Sequence, residues 1–249
     1  MAYSSFDHVW RPEFSTAGAA AQRVKFCMTA SPDKNDEPVD LQVPKAVVSR
    51  LSLYLRELQH LVRDGHETTS SSQLGSLLGF SDAQVRKDLA YFGHFGHPGI
   101  GYRSAELISA IRRILGTDRD WPVVIIGTGN LGRALLGYKG FSHQGFRIVA
   151  AFDVDPAKVG TTIEGVNVLH LNELADVVRQ NQIKLGLIAV PAATAQMVSD
   201  RLVAAGVEGI VNFAPVTLVL PPGVSLVGVD LAIELEQLSF SVVNRSTGG

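Results

Sequence analysis

Gly127, Gly129 and Gly132 stand at G-x-G-x-x-G spacing, directly after the apolar run Val123 to Ile126 and before the helical pattern Leu131 to Leu136. At this spacing the first glycine permits a tight turn, the second lets a pyrophosphate approach the backbone, and the third brings helix against sheet. N–H groups and the helix dipole then attract phosphate, so Thr128, Asn130, Leu131 and Arg133 are candidate cofactor contacts together with the three glycines. The bare motif also occurs as a ligand-free turn. Here Asp153 ends the next apolar run, 21 residues beyond Gly132, where a carboxylate is expected to accept hydrogen bonds from both ribose hydroxyls. Such an acid would repel a 2′-phosphate, so NAD is favoured over NADP.

Arg86 and Lys87 offer a second chemistry. They lie near the start of a short helical pattern, turned away from its Val85, Leu89 and Phe92 face. The first residues of a recognition helix meet base edges, where Arg bridges O6 and N7 of guanine and Lys meets a base or phosphate. Gln84 at the start of this helix and Ser72 at the start of the one before it are candidate DNA contacts for the same reason. A solvated charged face would read alike from these two residues alone. His60, His66, His94 and His97 show no metal-ligand spacing with acidic or cysteine partners, so no metal is expected. The lone Cys27 has no neighbouring cysteine or base and reads as a bystander.

The elements that must position these residues follow from periodicity. Val47, Leu51, Tyr54, Leu58 and Leu61 mark an amphipathic helix between Pro44 and Gly65. Two short helices follow, each opened by a capping box, Ser70 with Gln73 and Ser81 with Gln84, and separated by Gly79 and Phe80. That is a helix-turn-helix layout. Gly93 to Arg103 interleaves glycines with Phe95, Ile100 and Tyr102, which predicts a hairpin, the wing of a winged helix, before a further helix ending at Gly116. From there short apolar runs alternate with helical patterns: Val123 to Ile126, Arg147 to Phe152, Leu185 to Val190 and Gly209 to Phe213 as strands, Leu171 to Asn181 and Ala192 to Ala205 as helices. Alternation of this kind gives a parallel sheet with helices on both faces. Leu231, Leu235, Leu238 and Val242 then form one stripe, the pattern of a helix that docks on a partner.

The expected organisation is therefore a flexible arm (1–43), a winged-helix DNA-binding domain (44–116), a Rossmann-like doubly wound NAD(H)-binding domain (117–228) and a C-terminal dimerisation helix and tail (229–249), an α/β protein as a whole. Nine basic against six acidic side chains in residues 44–115, within a chain of net charge −2, agree with a polyanion partner for that segment. With 249 residues, 46% hydrophobic and 18% charged, the chain can bury two cores without staples. One cysteine excludes an intramolecular disulfide framework and suits a reducing cytoplasm. No apolar run approaches the ~18 residues of a membrane span, and the first 30 residues lack a secretory pattern.

The chain resembles the redox-sensing transcriptional repressor Rex family. The resemblance is carried by VPKAVVSRLSLYLREL (43–58), QVRKDLAYFGHFGHPGIGY (84–102), WPVVIIGTGNLGRALLGY (121–138), FDVDPAKVG (152–160), GIVNFAP (209–215) and VDLAIELEQLSF (229–240). It implies a homodimer whose C-terminal helices are exchanged between protomers, which binds palindromic double-stranded operator DNA and leaves it when NADH rather than NAD+ is bound. It further implies that Arg56, Tyr138 and Asp230 form a switch near the nicotinamide, and Tyr138 and Pro191 join the cofactor contacts. Two departures stand out: the wing reads His97-Pro98 where the family usually has a basic residue before the glycine, with His97 the candidate DNA contact there, and residues 1–42 have no counterpart. A rival reading is an NAD-dependent oxidoreductase or CoA-type nucleotide-binding enzyme with a helical appendage. An enzyme has no need of the wing and capped helix pair, and it needs an acid/base set that the sequence does not show.

Overall fold

A computed structural model of the chain describes residues 14–15, 21–26, 39–96 and 99–246, with side chains within 43–96 and 99–245. The chain divides into two units between Asp118 and Arg119. In the first, β1 (Phe14–Ser15), β2 (Ala21–Phe26) and β3 (Val39–Pro44) pair antiparallel in that order. The flexible arm expected for residues 1–43 is thereby corrected over its described part. Val39, Leu41 and Val43 alternate with Asp40 and Gln42, a period of two that suits a strand. Val43 is fully buried in the same core as the helices that follow, so the unit begins before Pro44.

α1 (Lys45–Arg63) starts at Pro44, whose missing N–H costs nothing ahead of a helix, and buries Val47, Leu51, Tyr54, Leu55, Leu58 and Leu61 on one face. Next come β4 (Thr68–Thr69), α2 (Ser71–Leu78), α3 (Asp82–Ala90), β5 (Tyr102–Arg103) and α4 (Ser104–Leu115). α2, α3 and α4 close on α1 through Leu74, Val85, Leu89, Phe92, Leu107 and Ile111. The hairpin expected within Gly93 to Arg103 is also corrected. Among the described residues its only strand is β5, which pairs antiparallel with β4, on the far side of α2 and α3 in sequence. Gly93, Gly96, Gly99 and Gly101 all have positive φ, so the chain turns at each of these glycines instead of extending.

The second unit is built on a seven-stranded sheet, ordered β12-β11-β10-β6-β7-β9-β8. Its elements are β6 (Trp121–Ile126), α5 (Asn130–Leu136), α6 (Gly140–His143), β7 (Phe146–Asp153), β8 (Thr162–Ile163), β9 (Val166–His170), α7 (Leu174–Gln180), β10 (Leu185–Ile188), α8 (Ala192–Ala205), β11 (Gly209–Asn212), β12 (Ser225–Gly228) and α9 (Leu231–Ser246). All pairings are parallel except β8 with β9, an edge hairpin turned at Glu164-Gly165. Val123 to Ile126 are buried without alternation because both faces of the sheet are covered there. α7 and α8 pack on one face through Leu174, Val178, Val198 and Leu202, and Leu135, Leu136 and Phe141 of α5 and α6 pack on the other. The doubly wound reading holds, with the sheet mixed at its β8 edge. α9 is the exception to burial, exposed over residues 231–245.

Candidate functional site

The strand order reverses between β6 and β10, where a doubly wound sheet opens a crevice at its carboxyl ends. Backbone bonds anchor the loop at the base of that crevice. Gly127 N–H donates to the Phe152 carbonyl (2.8 Å) and Ala189 N–H to the Ile126 carbonyl (2.8 Å), so the ends of β6, β7 and β10 meet at the glycine loop. The three glycines then have different duties. Gly127 has φ +94°, and a Cβ there would strike the Ala189 carbonyl; a Cβ on Gly132 would strike the Gly127 carbonyl. Internal packing therefore demands these two. Gly129 faces open space, the position where a ligand can reach the backbone. Asn130, Leu131 and Arg133 line the exposed side of this turn, while Thr128 is buried. Pro191, exposed, caps α8 just beyond β10.

Asp153 ends β7 beside the loop, and its carboxylate is already occupied. Oδ2 accepts from Thr128 N–H (2.9 Å), Thr128 Oγ1 (2.6 Å) and Lys158 Nζ (3.2 Å); Oδ1 accepts from the N–H groups of Val154 (2.8 Å) and Asp155 (3.1 Å). Burial pushes its pKa up, but the Thr128, Asp155 and Lys158 donors outweigh burial and hold it well below the usual carboxylate range. Thr128, expected from sequence only as a cofactor contact, and Lys158, not singled out there, thus tie the glycine loop to β7 through Asp153. Of the five donors, the Thr128 hydroxyl and the Lys158 amine can rotate away for a ribose hydroxyl, whereas the backbone N–H groups cannot. Asp153→Ala is therefore expected to do more than relax cofactor preference. It strands the buried Thr128 donors at a cost of about 1–3 kcal/mol. NADH affinity and thermal midpoint should fall together, with NADPH gaining relative to NADH, measured by calorimetry and fluorescence titration; wild-type NADH affinity with NADPH still excluded would contradict this.

Of the three residues singled out for a switch, Arg56 lies exposed on α1 in the first unit. In the second, Tyr138 is 59% exposed and its ring meets Phe141 edge-on at 5.0 Å. Asp230 caps α9, its Oδ1 accepting from Ala232 N–H (2.9 Å).

The first unit places the basic pair on α3. Ser70 and Ser81 cap α2 and α3 by accepting from the N–H groups of Gln73 (3.0 Å) and Gln84 (3.1 Å). The reciprocal half of each expected capping box is absent: Gln73 Oε1 accepts from the Thr69 hydroxyl, and Gln84 Nε2 donates to Asp88 Oδ1 (2.7 Å). Gln84, a candidate base contact, is thereby held by Asp88. α2 and the turn approach so closely that a Cβ on Gly75 would clash with the Phe80 carbonyl, a requirement the sequence reading missed. Arg86 and Lys87 are exposed, as is Ser72 on the first turn of α2. Arg86 Nη1 pairs with Asp82 Oδ2 (2.7 Å) and donates to Ser71 Oγ (3.2 Å). Arg86 also lines, with Ser70, Phe95, Ile100 and Tyr102, a depression of about 610 Å³ between the two helices and the wing. His97 lies outside the described residues.

Asp88 was not singled out from sequence, although a carboxylate at the buried step between Val85 and Leu89 is itself a signal. It is fully buried on α3 and paired with Arg50 of α1. Burial raises its pKa, but the bonds from Arg50, Tyr54 and Gln84 more than reverse this, so it stays ionised. Burial, followed by the neighbouring Asp88, pushes the Tyr54 phenol up. Among the described residues no cluster of His, Cys, Asp or Glu could hold a metal ion, and no helix is long and apolar enough to cross a membrane.

A winged-helix unit with a basic helix face, followed in one chain by a Rossmann-type unit with a glycine loop, defines a DNA-binding regulator with a nucleotide-binding sensor domain. Family models agree unit by unit: one described as "Putative DNA-binding protein N-terminus" matches residues 42–90, and one described as "CoA binding domain" matches residues 118–216. The chain belongs to the family of the redox-sensing transcriptional repressor Rex. The Rex protein of Desulfitobacterium hafniense is 49% identical over 205 residues, 82% of this chain and 98% of that protein. That of Streptomyces coelicolor is 47% identical, over 80% of this chain and 77% of that protein. Among solved structures, RSP in complex with β-NAD+ and operator DNA superposes with a TM-score of 0.78 at 36% identity, covering 82% of this chain and 94% of that one. RSP with β-NADH gives 0.74 at 35% identity, over 82% and 96%.

Proposed function

We propose that this chain is an NADH-responsive transcriptional repressor, a regulator and not an enzyme. As a homodimer in the cytoplasm it binds palindromic operator DNA through α3 and leaves it when NADH occupies the glycine loop. The observation that carries this reading is the pairing of an exposed Arg86-Lys87 on a capped recognition helix with a crevice whose only unobstructed loop glycine is Gly129. The relatives solved with NAD+, NADH and operator DNA support it, because the chain matches them across both units.

Support for the dimer comes from α9. Leu231, Leu235, Leu238 and Phe240 are each 60–72% exposed. Burying each such side chain is worth about 1.5–3 kcal/mol, and a helix of this length without tertiary contacts is marginal in water. A second apolar surface in the same unit lies open over β10, β11 and β12, a cleft of about 340 Å³ lined by Phe141, Phe146, Leu185, Leu187, Val211 and Val227. A twofold dimer that covers such surfaces also presents two copies of α3 to inverted half-sites.

The test is an anisotropy titration of genomic fragments with and without nucleotide. NADH should release bound DNA at concentrations where NAD+ does not. The family description of residues 118–216 makes CoA the pertinent competitor, since CoA and NADH share an ADP group. Release by CoA and not by NADH would overturn the cofactor assignment while leaving DNA binding intact.

Lys87→Ala is expected to weaken all duplexes alike and lower the salt slope by about one, as a phosphate contact does. Arg86→Ala should cost about 1–3 kcal/mol and relax one base position. Arg86 must first leave Asp82, but that pair is exposed and weakened by solvent, so the base contact prevails. Unchanged affinity, specificity and salt slope in both variants would place the reading surface elsewhere.

A further inference from the structure

α3 has nine residues and buries only Val85, Asp88 and Leu89, two apolar anchors and one acid. Apolar contact is non-directional, and two such anchors leave a short helix free to rock about its axis. What fixes it is Asp88. Oδ2 accepts from Arg50 Nε (2.5 Å) and the Tyr54 hydroxyl (2.8 Å), and Oδ1 accepts from Arg50 Nη2 (2.8 Å) and Gln84 Nε2 (2.7 Å). Two donors per oxygen fill the carboxylate, and the Arg50 fork dictates its plane as well as its position. The turn between α2 and α3 joins the same cluster. Phe80 lies edge-on to Tyr54 at 6.1 Å with the Arg50 guanidinium 6.0 Å from its ring. Tyr54 is fully buried, and Arg50 is partly buried with 21% of its side chain exposed and its guanidinium committed to Asp88.

We propose that the Arg50–Asp88 fork is a positioning device for operator reading: it locks the azimuth of α3 against α1, and sequence discrimination depends on it. The proposal rests on α3 being the recognition helix. Bidentate contacts to base edges tolerate little misplacement, whereas phosphate contacts tolerate more. Loss of the fork should therefore cost specificity before it costs DNA binding. Removing only one partner would strand a buried charge, so the variants must keep the site satisfied. Arg50→Lys keeps the charge without the fork. The triple variant Arg50→Met, Tyr54→Phe, Asp88→Leu replaces the three buried members by apolar groups, a change that is often neutral or stabilising for a buried pair, and leaves the half-buried Gln84 amide to turn to solvent.

The readout is the ratio of dissociation constants for an operator duplex and a scrambled duplex of equal length, beside thermal midpoint and NADH affinity. Both variants are expected to bind scrambled DNA and NADH as wild type does, and to lose at least about tenfold in the operator ratio, the scale of one bidentate base contact. Tyr54→Phe alone, which leaves the fork intact, should lower the midpoint and keep the ratio. If the folded triple variant discriminates as wild type does, or if the ratio merely follows the midpoint across all three variants, the fork is structural only and the proposal fails. Should wild type itself show no operator preference, the fault lies with the DNA-binding reading instead.

Discussion

Removing residues 229–249 is expected to leave monomers whose operator affinity is lower by at least about 10³-fold, the small end of the gap between specific and non-specific DNA binding. The reasoning starts from α9, which touches none of the cores of its own chain and is exposed along its length. Its loss should therefore leave the thermal midpoint of a monomeric unit intact while abolishing association. One winged helix reads one half-site, and the second half-site then contributes nothing to affinity. Sedimentation and an anisotropy titration against the same duplex check both parts. A truncated protein that sediments as a dimer and binds its operator with full affinity would refute the assignment of α9.

NADH, and not NAD+, is expected to release operator DNA, with Tyr138, Arg56 and Asp230 setting the concentration required. Both cofactors share adenosine and pyrophosphate, so the loop around Gly127 and Gly129 cannot tell them apart. The difference must arise at the nicotinamide, cationic when oxidised and neutral when reduced. A swing from 1:99 to 99:1 requires about 10⁴-fold differential affinity, or about 5.5 kcal/mol. Burying a neutral ring where a cation would suffer desolvation can supply a difference of that order. Tyr138→Phe removes only a hydroxyl and keeps the edge contact with Phe141, so it should bind NADH in part but need more of it to release DNA. Asp230→Asn is the informative partner variant, because Asn caps a helix as well as Asp and leaves the start of α9 intact while removing the charge. Equal release by NAD+ and NADH, or a wild-type response in both variants, would refute the switch.

Features written in short sequence spans were legible and those written across long ones were not. The apolar run before Gly127, the caps at Ser70 and Ser81, and the span of α8 all rest on residues within one turn or one strand of each other. The Arg50–Asp88 fork joins residues 38 apart, and the Thr128–Asp153 bonds join residues 25 apart; no local period announces either. Gln84 shows the cost: a Gln three residues after a capping Ser reads as a capping box, but donating its Nε2 to the buried carboxylate one turn on carries the side chain away from the Ser81 N–H that its Oε1 would have accepted from. The strand at 39–44 was overlooked because the charged, proline-bearing Ser31 to Asp40 stretch overlaps its start. β8 and β12 are too short to carry a period, and the wing strand escaped because its partner precedes the two helices it flanks.

The position of β6 also governs how the protein comes into being. It is the first strand of its unit in sequence and the central strand in space: Val123 pairs with Ile148 on one side and with Leu185 on the other. Parallel neighbours so distant along the chain must close long loops before any pairing is rewarded, and that makes folding slow. The first unit is dominated by helices, whose own backbone bonds are local, so its delay is shorter even though α1 must still meet α4 across α2 and α3. A refolding chain therefore regains its reading head before its sensor. For that interval it is blind to the redox state it exists to report, and only the docking of β10 against β6 ends the blindness.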